Sequence, residues 1–237
     1  MRRERLSGAG RVTDEIIRLA SSSKAKERNE AVKRLKNLKL GEADYSRILW
    51  QLLGMDNEYA RRTAVKAVPV LLRNNRDIIL FSKAVLQDES WQVREAGANI
   101  LRNLTEVRGD TLKLLESYSR DRAPIVNRTA GDTMAHLHLK GLVDIKLVES
   151  LAKSSLPAER RTAAFCLRRL EKSRPEILEL VREWALHGGE NEKWTAVYAL
   201  KLIGKNSRDA VEILKMVEGS HEVSRLKAKA LREVGEE

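Results

Sequence analysis

The chain has a single cysteine, Cys166, two phenylalanines and four prolines among its 237 residues, and aromatics make up only 4% of it. A lone thiol forms no internal disulfide, and Cys166 has no metal-ligand partner at a useful spacing. A reducing cytoplasm is the expected compartment. No apolar run approaches the roughly 18 residues that a membrane helix needs, so no membrane partner is expected. The opening "MRRERLSGAGR" is basic but leads into no apolar core, which is not the pattern of a secretory leader. Residues 1–10 read instead as a flexible basic arm. Alternating strand patterns and hairpin turns are also missing.

Catalytic signatures are missing too. The histidines are His136, His138, His187 and His221. The pair in "HLH" (136–138) falls on different sides of a helix, a poor arrangement for a metal, and no glycine-rich phosphate loop follows a strand. Cys166, in "AAFCLRRL", sits in an apolar helical stretch and reads as a packing residue. Nothing assembles a nucleophile, a base and an orienting group. The chain is expected to be no enzyme and to hold no cofactor and no metal.

Apolar residues at 42% and charged residues at 33% fit a folded, highly charged protein. Ala, Leu, Lys, Arg and Glu dominate, a mixture that favours helix. The abundance of Lys, Arg and Glu is also the composition of a heat-adapted protein. One segment then recurs along the chain: "NEAVKRLKNL" (29–38), "RTAVKAVPVLL" (62–72), "REAGANILRNL" (94–104), "RTAGDTMAHL" (128–137), "RTAAFCLRRL" (161–170), "WTAVYALKLI" (194–203) and "LKAKALREV" (226–234). Aligned on Ala31, Ala64, Ala96, Ala130, Ala163, Ala196 and Ala228, the copies step by 33, 32, 34, 33, 33 and 32 residues.

A second amphipathic stretch precedes each later copy, such as "YSRILWQLLG" and "EILELVREWAL", with apolar residues at i, i+3, i+4 and i+7. Asp56, Asp88 and Asp121 are placed to cap the helices that follow. Pro124, Pro157 and Pro175 lie near helix starts, and Gly54, Gly109, Gly141, Gly204 and Gly219 mark turns. Pro69, inside an expected helix, should kink it. Trp50 and Trp184 are expected in the core, and Trp91 half-buried at a helix start. Fourteen helices in seven pairs are predicted, as one domain over residues 1–237. No pair buries its apolar face alone, so neighbours must stack.

This pattern resembles the HEAT repeat family over nearly the whole chain. The resemblance is carried by an acidic residue ahead of "VREA" (93–96), "VNRTA" (126–130), "ERRTA" (159–163) and "ARRTA" (60–64). The unit is shorter than the usual 40–47 residues and is similar to the compact repeats of lyase-type HEAT-like proteins. The resemblance implies a right-handed α-solenoid of about seven two-helix repeats, with the second helix of each on the concave face. "WQVREA" (91–96) also resembles the Trp-x-x-Arg helix start of HEAT-like alkylpurine DNA glycosylases, which would make Arg94 a phosphate contact. No catalytic aspartate beside clustered tryptophans accompanies it.

The net charge is +11. The seven second-helix segments hold 28 basic and 12 acidic residues, a net of +16, and the rest of the chain is slightly acidic. Such a face attracts polyanions. Candidate contacts in the first repeats are Arg28, Lys33, Lys36, Arg62, Lys66 and Arg73. In the fifth and sixth they are Arg161, Arg168, Lys172, Lys201 and Lys205, interleaved with Trp194 and Tyr198. Arg94 and Arg128 complete the set. Arg62, Arg94, Arg128 and Arg161, each two residues before its alanine, also suit a purely structural tie between repeats. Cations among aromatics suit phosphate contact with base stacking. The expected partner is a nucleic acid, DNA or RNA, or a ribonucleoprotein; the rival is an acidic protein segment held by a scaffold. A monomer is expected.

Overall fold

The computed structural model describes residues 14–236, and the basic arm expected over residues 1–10 lies outside them. The described residues are all-α, with fourteen α-helices and no strand. α1 covers residues 14–20. It is followed by α2 (Ala25–Asn37), α3 (Glu42–Leu53), α4 (Glu58–Leu71), α5 (Asn75–Ala84) and α6 (Trp91–Ile100), which ends in a 3₁₀ turn, Leu101–Asn103. Then come α7 (Gly109–Ser119), α8 (Pro124–Leu139), α9 (Ile145–Lys153), α10 (Pro157–Glu171), α11 (Ile177–His187), α12 (Glu190–Gly204), α13 (Arg208–Met216) and α14 (His221–Val234). None of these helices is long and apolar enough to cross a membrane.

The chain divides into two compact units, one ending at Thr105 and one beginning at Glu106. In the first unit α2, α4 and α6 pack in succession, with α3 and α5 laid against them. The second has α8, α10, α12 and α14 in succession, with α7, α9, α11 and α13 on their other side. Each unit therefore has two layers. Between them lie residues such as Leu35, Leu52, Val68 and Phe81 in the first unit, and Leu115, Tyr118, Leu167 and Leu200 in the second, all fully buried. Burying each such side chain contributes about 1.5–3 kcal/mol.

Five of the seven even-numbered helices, α2, α4, α6, α8 and α10, share one internal design. As the fourth residue of each, at steps of 33, stand Arg28, Arg61, Arg94, Asn127 and Arg160. Each turns back to the loop before its own helix. Arg28 Nη1 donates to the carbonyls of Ser22 (2.8 Å) and Ser23 (2.7 Å). Arg61 Nη1 reaches Met55 (3.1 Å) and Asp56 (2.8 Å). Arg94 Nη1 bonds Asp88 (2.7 Å) and Glu89 (3.0 Å), and Arg160 Nη1 bonds Ser154 (2.9 Å) and Ser155 (3.0 Å). Asn127 plays the same part with its amide, donating to Asp121 O at 2.9 Å and Ser119 O at 3.2 Å. A loop that would otherwise hide unpaired carbonyls is thus satisfied by one side chain.

A second tie joins neighbouring repeats. Thr63, Thr162 and Thr195, all buried, share their hydroxyls between the carbonyl four residues back in the same helix, Tyr59 (2.6 Å), Ala158 (3.1 Å) and Asn191 (2.9 Å), and a carbonyl of the preceding repeat, Ala20 (3.1 Å), Ser119 (3.4 Å) and Ala152 (3.1 Å). Each acceptor in the preceding repeat lies 43 residues earlier, so the register between adjacent repeats is the same at all three junctions.

The expected caps are displaced. Asp88 and Asp121 accept the amide protons of Ser90 (2.9 Å) and Ala123 (2.8 Å), the residues just outside α6 and α8. They therefore brace the turn ahead of the helix rather than cap it. The cap of α4 is Asn57, not Asp56, and accepts from Ala60 N at 3.0 Å. Pro124 and Pro157 open α8 and α10 as expected. Pro69 lies in the last turn of α4, which runs only two residues further. Trp184 is buried, while Trp50 and Trp91 are 42% and 43% exposed. Trp50 keeps one side packed on Phe81, ring centroids 4.3 Å apart.

Candidate polyanion interface on the even-numbered helices

The thirteen cations singled out from the sequence separate by what they touch. Arg94 is buried and its Nη1 is spent on the loop carbonyls, which places it in the internal arginine series with Arg61 and Arg160. Arg28 belongs to that series too, but remains half-exposed, its guanidinium 5.2 Å from the Tyr59 ring centroid. Four others pair with carboxylates. Arg62 meets Glu95 at 3.3 Å, Arg168 meets Asp132 at 3.2 Å, Arg128 stands 3.9 Å from the same Asp132, and Lys201 meets Glu233 at 3.3 Å. Lys33, Lys36, Lys66, Arg73, Arg161, Lys172 and Lys205 have no carboxylate partner among the described residues. All of these except the half-buried Arg161 are exposed. Arg73 is also the left-handed residue that ends α4, with φ +52°.

In the first unit Arg28, Arg62 and Lys66 line one cleft of about 300 Å³ between α2 and α4, together with Asn29, Val32 and Thr63. The ammonium of Lys66 is held below its ordinary range, first by loss of water and then by the like charges of Arg62 and Arg28, against the pull of Glu95. Lys33 and Lys36 lie exposed on α2, one and two turns beyond Asn29.

In the second unit the interleaved residues form a ladder of rings and cations. Trp194 and Tyr198 stack, with centroids 5.4 Å apart and planes 12° off parallel. Phe165 meets Tyr198 edge-on at 5.9 Å. The guanidinium of Arg160 lies over Trp194 at 4.8 Å, and the ammonium of the buried Lys201 over Tyr198 at 4.4 Å. Burial lowers the pKa of Arg160, Glu222 opposes the shift, and the neighbouring Arg161 adds to it. The rings are half-buried and engaged with one another and with two cations. They make a rigid, charged wall more than a platform of free ring faces.

The thiol of Cys166 is buried and pushed far above its ordinary value by desolvation, with the charge of Asp132 adding to the effect. That leaves no nucleophile there at neutral pH. Among the described residues no group of three or more His, Cys, Asp or Glu could hold a metal ion.

These features define an all-α protein built of two-helix units that repeat about every 33 residues, with basic residues on the even-numbered helices of each unit. No family model matches the chain, and no curated protein matches it. Among solved structures it is similar to three described as engineered proteins, Northeast Structural Genomics Consortium targets. Target OR497 shares 18% identity, with a TM-score of 0.38 over 96% of this chain and 69% of that one. Target OR366 shares 16%, with a TM-score of 0.34 over 80% and 98% of the two chains. Target OR329 shares 17%, with a TM-score of 0.30 over 94% and 96%. Likenesses at these levels carry no functional argument.

Proposed function

We propose that this chain is a non-catalytic HEAT-like solenoid whose even-numbered helices form a basic face for an extended polyanion, and that this partner is a nucleic acid. The observation that carries the reading is the set of seven cations on those helices or just past their ends with no carboxylate partner among the described residues, set beside the clustered Arg28, Arg62 and Lys66. The ammonium of Lys66 is disfavoured by loss of water and by the neighbouring Arg62 and Arg28, a cost that a bound anion relieves. Contacts to the phosphate backbone dominate the affinity, with little reading of sequence. The stacked Trp194 and Tyr198 brace that face, and base stacking on them is a minor contribution.

The second reading, an acidic protein segment on the same face, is favoured by the engaged rings, which leave little free π surface for bases. Fluorescence anisotropy with labelled single- and double-stranded DNA and RNA separates the two. If all seven cations contact phosphate, affinity falls about 10³–10⁴-fold between roughly 50 and 200 mM salt. The triple variant Lys33→Glu, Lys66→Glu, Arg161→Glu should abolish binding while leaving the helical circular-dichroism signal intact. Absence of binding to every nucleic acid at low salt refutes the first reading and leaves the acidic protein.

A further inference from the structure

We infer that the cleft between α2 and α4 is a site for a phosphate monoester, the group carried at the end of a nucleic acid strand or on a mononucleotide. The inference rests on the basic-face reading above and narrows it to one position and one chemical group.

The same register of neighbouring even-numbered helices can be compared at five junctions inside the two units. Between α2 and α4 it presents Arg62 and Lys66 to Arg28 and Asn29. One repeat later the equivalents of Arg62 and Lys66 are Glu95 and Asn99, and Glu95 closes the junction on Arg62 at 3.3 Å. Between α8 and α10 they are Arg161 and Phe165, and between α10 and α12 they are Trp194 and Tyr198, where rings fill the space. At the last of the five, between α12 and α14, the equivalents of Arg62 and Lys66 are Lys227 and Leu231. The first junction combines three cations in an open volume of about 300 Å³, with neither a ring nor a carboxylate among its lining residues.

The donors suit a monoester. Arg28 Nη1 is committed to Ser22 and Ser23, and Arg62 Nη2 to Glu95. That leaves the second guanidinium nitrogen of Arg28, Nη1 of Arg62, the whole ammonium of Lys66 and the amide of Asn29. A phosphate monoester carries about −1.5 to −2 charge and three acceptor oxygens at neutral pH. It therefore offsets two of the three cations and gives each a separate oxygen. A diester has one charge and two such oxygens, and its chain must continue on both sides. A cleft of this volume, at the small end of ligand pockets, takes one phosphate and its sugar rather than a length of duplex. Val32 supplies the apolar wall for the sugar.

The test uses the full chain and one labelled oligonucleotide in three forms: 5′-phosphorylated, 3′-phosphorylated and with hydroxyl at both ends. Inorganic phosphate and a nucleoside monophosphate are titrated separately by calorimetry. A terminal phosphate at one end or the other should tighten binding about tenfold or more, as charge-assisted hydrogen bonds do. Lys66→Gln, at an exposed position with no carboxylate partner to lose, should reduce that gain to less than about threefold, and Lys205→Gln should retain it. Equal affinity for all three forms, with the steep salt dependence intact, overturns the cleft and leaves the basic face standing. Binding of the free monophosphate that Lys66→Gln abolishes, without binding of any oligonucleotide, keeps the cleft and refutes the nucleic-acid face. Absence of binding by all probes overturns both.

Discussion

Arg61 and Arg62 are adjacent in sequence, identical in type and opposite in role, so exchanging each for methionine is a direct test of the internal design. Methionine retains most of the apolar stem of arginine. Arg61 donates from Nε and Nη2 to the two carboxylate oxygens of Asp88, at 2.7 and 3.0 Å, and from Nη1 to Met55 O and Asp56 O. Both side chains of the pair are only 10% exposed, and the hydrogen bond to Asp88 raises the guanidinium pKa further above its already high ordinary value. Removing the arginine strips a buried carboxylate of its counter-charge and two loop carbonyls of their donor. Breaking a buried pair in this way costs about 3–5 kcal/mol. Arg62 loses one bond to Glu95 at 3.3 Å in a pair 23% and 21% exposed, which is worth about 0–1 kcal/mol.

Urea denaturation combined with hydrogen-exchange mass spectrometry reads the outcome in each unit separately. Arg61→Met should make the α4 amides exchange roughly 10²–10⁴-fold faster, following from the same 3–5 kcal/mol. Arg62→Met should leave them within about fivefold of wild type. The functional assays should reverse the order, since Arg62 lines the cleft and Nη1 of Arg61 does not leave its loop. Equal destabilisation by the two variants, or an Arg61→Met chain within about 1 kcal/mol of wild type, would show that the recurring arginine does not hold the loops.

Gly131→Ala puts a Cβ 2.5 Å from Thr162 O, 2.9 Å from Phe165 Cβ and 3.0 Å from Cys166 N, two of them backbone atoms that cannot yield. Although alanine gains about 1 kcal/mol of helix propensity, overpacking at about 1–3 kcal/mol outweighs it, and thermal unfolding should begin at a lower temperature. Cys166 should react with a disulfide reagent only as fast as the second unit opens, so its rate should rise with urea and not with pH between 7 and 9; fast labelling of the native chain refutes its burial. For Lys66, whose folded pKa lies below the ordinary lysine value of 10.5, the unfolded chain binds more protons between those two values. Stability relative to Lys66→Gln should therefore rise as pH climbs through that alkaline window and level off above it, which paired denaturation curves would detect.

The helical pairs were legible in the sequence because their signals are short-range: apolar spacing of three and four, prolines at helix starts and a recurring small residue. The register within a pair was not. Aligning Ala96 with Ala64 set Arg94 beside Arg62, but "AGA" at 96–98 offers three small residues, and Gly97 is the one 33 residues beyond Ala64. The hydrogen bonds decide the matter, because only a residue four positions into the helix reaches the carbonyls five and six residues back. The constant step of 33 through Arg28, Arg61, Arg94, Asn127 and Arg160 was the signal that an alignment on alanine passed over. The charge count was incomplete for a related reason. The net of +16 on the even-numbered helices already includes Glu95 and Asp132, but a sum does not say which cations they meet, and they pair with Arg62 and Arg168 across helix junctions. Pairing of that kind connects residues 33 or 36 apart and is invisible to any window of one helix. The singled-out cations without a carboxylate partner are densest at α2 and α4, where Lys33, Lys36, Lys66 and Arg73 lie, and Lys66 stands at the position that carries Asn99, Asp132, Phe165 or Tyr198 in later repeats. The functional content of such an array therefore lies in its departures from the repeat, and the repeat itself accounts mainly for the fold.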